Sequence, residues 1–240
     1  MNKTFTSARC SALSLVLACL AITSLATSAH AASTLHAATL LPGQIVMSEI
    51  MADPSKVSDS AGEWFELYNP FNVSLDLNGL VVKSMNGASI ESFTIANAPQ
   101  MASHDYFVFG RSANTATNGG VTVDYVWGSG LSLGNTSDYL RFERADGTTL
   151  LHAAWTGTTA GKSLEIQTGQ LPNLAQSNYV LPLAGATFGA GDFGTPGSIN
   201  THALGVTGLV APPVPEPETY AMLGLGLGCI ALARSRKRSH

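Results

Sequence analysis

The chain has 240 residues, 45% of them hydrophobic and 12% charged, with a formal net charge of −4 at pH 7. Such a composition excludes a disordered chain, which has too little apolar surface to bury, and allows one large domain or two small ones. Residues 32–213 hold 14 acidic against 6 basic side chains, a net −8, which argues against nucleic acid as a partner because that binding relies on neutralising phosphates.

Residues 1–31 read as a signal peptide. Lys3 and Arg9 form a basic start, residues 12–26 an apolar run, and Ala29-His30-Ala31 a small-x-small site, with cleavage expected between Ala31 and Ala32. Two rival readings share this segment. An uncleaved anchor helix is disfavoured by Thr23 and Ser24, and lipid attachment at Cys19 by Leu17 and by the apolar run continuing past it. Cys10 and Cys19 fall here and Cys229 near the other end, so residues 32–213 contain no cysteine and form no disulfide of their own.

From 44 to 166 the chain alternates short β-rich runs with Gly, Asn, Asp and Ser turns, and shows no amphipathic helical period. The spacing predicts strands at 44–50, 63–69, 79–84, 90–95, 106–110, 121–127, 139–144, 150–155 and 163–166, a succession that suits a β-sandwich or barrel. Side chains alternate along a strand, so Phe65 and Leu67 are expected in the core, with Trp64, Glu66 and Tyr68 on the other face. Residues 106–110 are apolar on both faces, which predicts a central strand covered on both sides. Asp146-Gly147 predicts a hairpin between antiparallel neighbours, because both residue types tolerate positive φ.

Three stretches, Ile45-Val46-Met47-Ser48-Glu49-Ile50-Met51-Ala52-Asp53-Pro54, Gly62-Glu63-Trp64-Phe65-Glu66-Leu67-Tyr68-Asn69 and Leu75-Asp76-Leu77-Asn78-Gly79-Leu80, resemble the opening of a bacterial lamin tail domain. Tyr106-Phe107-Val108-Phe109-Gly110, Leu133-Gly134-Asn135-Thr136-Ser137-Asp138, Gly161-Lys162-Ser163-Leu164-Glu165 and Gly194-Thr195-Pro196-Gly197-Ser198-Ile199-Asn200 extend the likeness over residues 44–200. The resemblance implies an immunoglobulin-like β-sandwich of a kind found in nuclear lamins and in many bacterial secreted proteins, often beside nucleases or other hydrolases. Ser48 stands where the bacterial pattern usually has Asn, which implies an altered hydrogen bond near Glu49.

Glu49, Asp53, Asp59, Glu63 and Glu66 cluster in the first third of the chain. Carboxylate oxygens suit Ca²⁺, and residues 53–62 form a loop able to wrap one, although the spacing is not that of an EF-hand. The other reading makes these acids structural, since a buried carboxylate left unpaired is costly, and the lamin-tail resemblance implies fold-determining roles for Glu49 and Glu66. The structural reading is preferred, with calcium kept as the one cofactor to consider.

His36, His104, His152, His202 and His240 lack any zinc spacing. Gly128-Ser129-Gly130 lacks the frame of a nucleophile elbow, and Gly161-Lys162-Ser163 that of a phosphate-binding loop. The expectation is therefore a protein that is not an enzyme. Trp64, Tyr68, Trp127 and Trp155 suit either sugar stacking or core packing, and core packing is favoured. Asn72-Val73-Ser74 and Asn135-Thr136-Ser137 match a glycosylation pattern and read as surface turns.

Residues 201–213 read as a linker spanning at most about 45 Å. Pro212 and Pro213 precede Val214-Pro215-Glu216-Pro217-Glu218, whose prolines impose an extended approach suited to a protease. Residues 220–233 are free of charge and proline; as a helix they reach about 21 Å, short of the roughly 30 Å hydrocarbon core. Arg234, Arg236, Lys237 and Arg238 set the tail in the cytoplasm by the positive-inside rule. Gly224 and Gly228 are spaced for helix pairing, but Gly226 between them makes general glycine richness the better account.

Pro215-Glu216-Pro217, the short helix and the basic cluster, in that order, resemble the PEP-CTERM sorting signal of Gram-negative bacteria across residues 214–240. The resemblance implies processing by an exosortase, transient residence in the inner membrane, and delivery to the cell surface or extracellular matrix. Exopolysaccharide or another surface protein is the expected neighbour. The alternative function is an accessory module for a separately encoded secreted hydrolase or nuclease.

Overall fold

A computed structural model describes residues 34–86, 89–166, 175–177 and 179–202. The Ala31/Ala32 junction, Pro215-Glu216-Pro217, the expected helix at 220–233 and the basic cluster of Arg234, Arg236, Lys237 and Arg238 lie outside the described residues.

Two sheets carry the fold, as the all-β, immunoglobulin-like reading requires. The first has β2 (Val46–Met51), β3 (Trp64–Tyr68) and β7 (Tyr106–Gly110) antiparallel at its centre. β11 (Leu164–Ile166) and then β13 (Tyr179–Val180) extend it beyond β2, and β8 (Tyr125–Val126) runs parallel to β7 at the other edge. The second sheet holds β12 (Ala175–Gln176), β10 (Thr149–Thr156), β9 (Ser137–Glu143), β5 (Val81–Asn86) and β6 (Ser89–Thr94), adjacent in that order. Two small pairs stand apart: β1 (Thr34–His36) with β4 (Ser74–Asp76), and β14 (Thr187–Phe188) with β15 (Asp192–Phe193).

The period of two explains which side chains join the sheets. Phe65 and Leu67 enter the main core, where Phe65 stacks on Phe109 at 4.7 Å and on Trp127 at 5.1 Å, and meets Phe142 of the second sheet edge-on at 5.9 Å. Full burial of such a ring contributes about 1.5–3 kcal/mol. Trp64 points the opposite way, into a smaller cluster with Met51, Val108 and Val121. The first sheet is thus buried on both faces, and β7 is covered on both sides as its composition predicts. β9 and β10 form the expected antiparallel hairpin. Gly147 takes φ +85° in its turn, and hydrogen bonds from Thr148 and Arg144 hold the Asp146 carboxyl down at about 2.

The structure departs from the expected elements in three places. The predicted strand at 121–127 shrinks to β8, because Asn118 folds residues 118–121 into a loop: its amide donates to the Val121 carbonyl and its Oδ1 accepts the Gly120 and Val121 N–H groups. The fold also begins before residue 44, with β1 paired to β4 and Ala37 and Leu40 buried. Thr201 and His202, assigned by sequence to the linker, are tied to the sandwich through Glu165. The short added strands have two or three residues each, too few to display a period.

Candidate functional site

Register across the first sheet places Glu66 of β3 opposite Glu49 of β2, and Glu49 opposite Glu165 of β11. All three residues are fully buried. Like charges directly opposite one another on neighbouring strands are destabilising, and a buried carboxylate needs partners, so the row persists only because the end of the domain supplies donors. Glu49 accepts the Ser163 hydroxyl, the Thr195 N–H at 2.9 Å and the Thr195 hydroxyl at 2.8 Å. Glu66 accepts the Ser48 hydroxyl at 2.5 Å and the Gly197 N–H at 2.6 Å. Glu165 accepts the Thr201 hydroxyl at 2.6 Å and the His202 N–H at 3.2 Å. Asn200 donates its amide to the Ser48 carbonyl at 2.6 Å. Residues 195–202 therefore lie across the sheet as a clasp closed on three acids.

The glycines of this segment have separate reasons. A Cβ on Gly194 would stand 2.7 Å from Glu49 Oε1, while Gly197 adopts φ +76°, which side chains rarely tolerate.

Electrostatics follow from burial. Burial pushes the Glu49 carboxyl up from 4.5 to about 7, against the hydrogen bonds of Ser163 and Thr195, and the Glu165 charge adds to the rise. Burial, with the charge of Glu49 next, raises Glu66 well above the carboxylate range despite Ser48 and Gly197. Neither acid has a cation among these partners. The Ser48 hydroxyl bonds Glu66, so the consequence of having Ser in place of Asn falls on Glu66.

The five acids grouped by sequence take different partners. Glu49 and Glu66 belong to the clasp, whereas Asp53 Oδ2 accepts the Thr158 hydroxyl at 3.2 Å, Asp59 Oδ2 the Asn135 amide at 3.1 Å, and Glu63 pairs with Arg111 at 3.0 Å. Burial raises Glu63 to about 7 even with Arg111 beside it. Among the described residues no group of three or more His, Cys, Asp or Glu side chains is arranged to hold a metal ion. Glu165 falls outside the sequence grouping, since nothing local to it reveals that β11 pairs with β2; a lone acid inside the short β-run at 163–166, within a stretch that resembles the lamin tail pattern, is the signal it offers.

The tryptophans are buried. Trp127 and Trp155 donate their ring N–H groups to the carbonyls of Leu131 and Gly134, each at 2.9 Å, and Trp64 meets Phe188 edge-on. Tyr68 is half-buried against Tyr106 at 4.8 Å. The described histidines scatter: His36 pairs with Asp76, His104 lies near the Tyr68 hydroxyl, His152 contacts the Tyr139 ring and His202 bonds Glu165. Gly161-Lys162-Ser163 leads into strand β11, as its sequence suggests.

Two facing sheets closed by an acid-held terminal segment define an immunoglobulin-like β-sandwich domain. The Lamin Tail Domain family model matches residues 40–171, more than half of the chain, and the chain belongs to that family. Residues 195–202 lie beyond the matched stretch, and it is the hydrogen bonding above that joins them to the domain. A second model, the PEP-CTERM protein-sorting motif, matches residues 213–237. That motif marks a protein exported with a C-terminal sorting signal for processing by an exosortase. No curated protein matches the chain.

Proposed function

We propose that the sandwich is a non-catalytic interaction module of the cell surface or extracellular matrix, associated there with exopolysaccharide. The observation that carries this reading is the succession of a Lamin Tail Domain and a PEP-CTERM sorting motif in one chain. The partners of the buried acids support it as well. Glu49, Glu66 and Glu165 are engaged by the chain's own hydroxyl and N–H groups, which is how a scaffold uses acids. Pro215, Glu216 and Pro217 act as the processing determinant, and Arg234, Arg236, Lys237 and Arg238 hold the tail on the cytoplasmic side of the inner membrane until release. No resident cation is required in this reading.

Intact-mass analysis of protein from native cells tests it, beside the variant Pro215→Ala, Glu216→Ala, Pro217→Ala. The expected wild-type species starts at Ala32 and ends near Glu218, while the variant keeps its tail. Retention of His240 in both would overturn the processing. Co-sedimentation of the wild type with isolated exopolysaccharide is expected; capture of a secreted hydrolase without co-sedimentation would favour an accessory module, and turnover of ester, phosphodiester or glycoside probes would overturn the non-catalytic reading.

A further inference from the structure

The outer face of the second sheet carries basic side chains in register. Alternation sends Val82, Ser84, Leu140, Phe142 and Ala153 inward, so Lys83, Arg141 and His152 point outward. Register aligns them: His152 of β10 faces Arg141 of β9, and Arg141 faces Lys83 of β5. Two interstrand steps of about 4.8 Å separate the ends of this row, making it roughly 10 Å long. Three basic side chains therefore stand side by side in a domain segment with only 6 Lys and Arg against 14 acids.

Cross-strand neighbours of like charge cost stability. One carboxylate offsets the cost: Glu143 Oε2 accepts a hydrogen bond from Lys83 Nζ, and its Oε1 forms an ion pair with Arg141 Nε, both at 2.6 Å. Two cations share a single anion, which leaves one positive charge on the row. Both side chains stay about 30% exposed, at 29% and 30%. Of the other four Lys and Arg residues, Lys56 is exposed in the loop after β2, and three have partners elsewhere. Arg111 is paired with Glu63, Arg144 with Asp146, and Lys162 lies over the Phe193 ring.

An aromatic platform adjoins the cations. The Tyr139 ring lies 5.0 Å from that of His152, with the Arg141 guanidinium 5.8 Å from its centroid. Met85 and Ile90, opposite one another across β5 and β6, add exposed apolar surface on the same face at 42% and 60%. Flanking them, Ser92 and Thr94 of β6 are exposed hydroxyls. A flat strip with cations in a line, rings beside them and hydroxyls at the margin matches a polymer that has carboxylates, hydroxyls and apolar ring faces.

We propose that this face, centred on Lys83, Arg141, His152 and Tyr139, binds an acidic polysaccharide bearing carboxylated sugars. This inference rests on the exopolysaccharide reading above and names the chemistry of that ligand. Arg141 and Lys83 meet the carboxylates, Tyr139 and His152 take the sugar faces, and Glu143 holds the two cations in register.

Binding of polygalacturonate to the full chain in neutral detergent tests the assignment, with dextran and polyglutamate as comparison polymers. Polygalacturonate should bind, dextran should not, and polyglutamate should bind at least about tenfold more weakly because it lacks the sugar rings. The variant Lys83→Gln, Arg141→Gln, Glu143→Gln removes both cations without leaving a buried carboxylate unpaired; it should lose about tenfold or more in affinity. Tyr139→Ala should weaken polygalacturonate and leave polyglutamate unchanged, and Lys162→Gln, of the same charge change elsewhere, should alter neither. Equal binding by the triple variant, or polyglutamate binding as tightly as polygalacturonate, overturns the proposal; the second result would indicate an acidic protein partner. Should the triple variant not fold, Tyr139→Ala decides by the same contrast. Co-sedimentation with native exopolysaccharide in the triple variant would sink this site and spare the broader reading. Polygalacturonate binding without native co-sedimentation would do the reverse.

Discussion

The two sheets handle buried acid in opposite ways. In the first, Glu49 and Glu66 are covered by the terminal clasp and answered by hydroxyl and N–H groups. In the second, Glu143 lies on a face open to solvent and is answered by Lys83 and Arg141. Neutral donors tie the protonation of an acid to the fold, whereas cations leave their own charge available to something outside. One sheet's outer face thus serves closure of the domain, and the other's is the face proposed to meet the polysaccharide.

The largest expected effect lies between the sheets. Phe65→Ala removes the ring that joins Phe109, Trp127 and Phe142, and should cost about 3–5 kcal/mol in denaturant unfolding. A loss below about 1 kcal/mol would mean that the sheets do not depend on this ring.

Next comes the clasp. Glu66→Ala leaves the Gly197 N–H without its acceptor and the Ser48 hydroxyl with only the Glu66 carbonyl at 3.1 Å, and an orphaned buried donor costs about 1–3 kcal/mol. Hydrogen exchange should quicken at Gly197 and Thr195 well before it does in β9 or β10. Uniform acceleration across both sheets would show that the clasp is not a separate unit.

Acidity sharpens the contrast further. Glu49 has its carboxyl raised from 4.5 to about 7, and Glu66 is raised in the same direction. A carboxyl with a folded pKa above its unfolded value contributes stability that is complete below about 4.5 and is lost as pH rises through about 7. Thermal scans should therefore give a lower Tm at pH 8 than at pH 5, and Glu49→Gln should flatten the slope. A Tm that climbs across that window would contradict the burial of these acids as the controlling factor. Glu63 carries less weight here, because Arg111 at 3.0 Å favours its charged form.

The smallest effect concerns calcium. Asp53, Asp59 and Glu63 have separate partners away from the clasp, so millimolar Ca²⁺ and chelator should give the same Tm. A clear rise with Ca²⁺ would revive a site that brings these acids together.

Much of the sandwich was legible in local pattern. Alternation in residues 64–68 separated Phe65 and Leu67 from Trp64, the apolar run at 106–110 marked a central strand, and Asp146-Gly147 marked a hairpin. Proximity in sequence misled for the acids, because Glu49 and Glu66 are neighbours through strand pairing while Asp59 and Glu63 turn toward other loops. Segment 121–127 misled too, since Asn118 makes its first residues a loop.

By itself the sequence determined the strand periods, the β-rich class and the order of sorting elements near the C-terminus, because each of these is written in residues a few positions apart. Only the tertiary structure decided that Glu66, Glu49 and Glu165 form one buried row, that residues 195–202 close over it, and that His152, Arg141 and Lys83 line up outside. The reason is register: which residue faces which across two strands depends on pairing between distant segments, and a shift of one position would send every side chain to the opposite face.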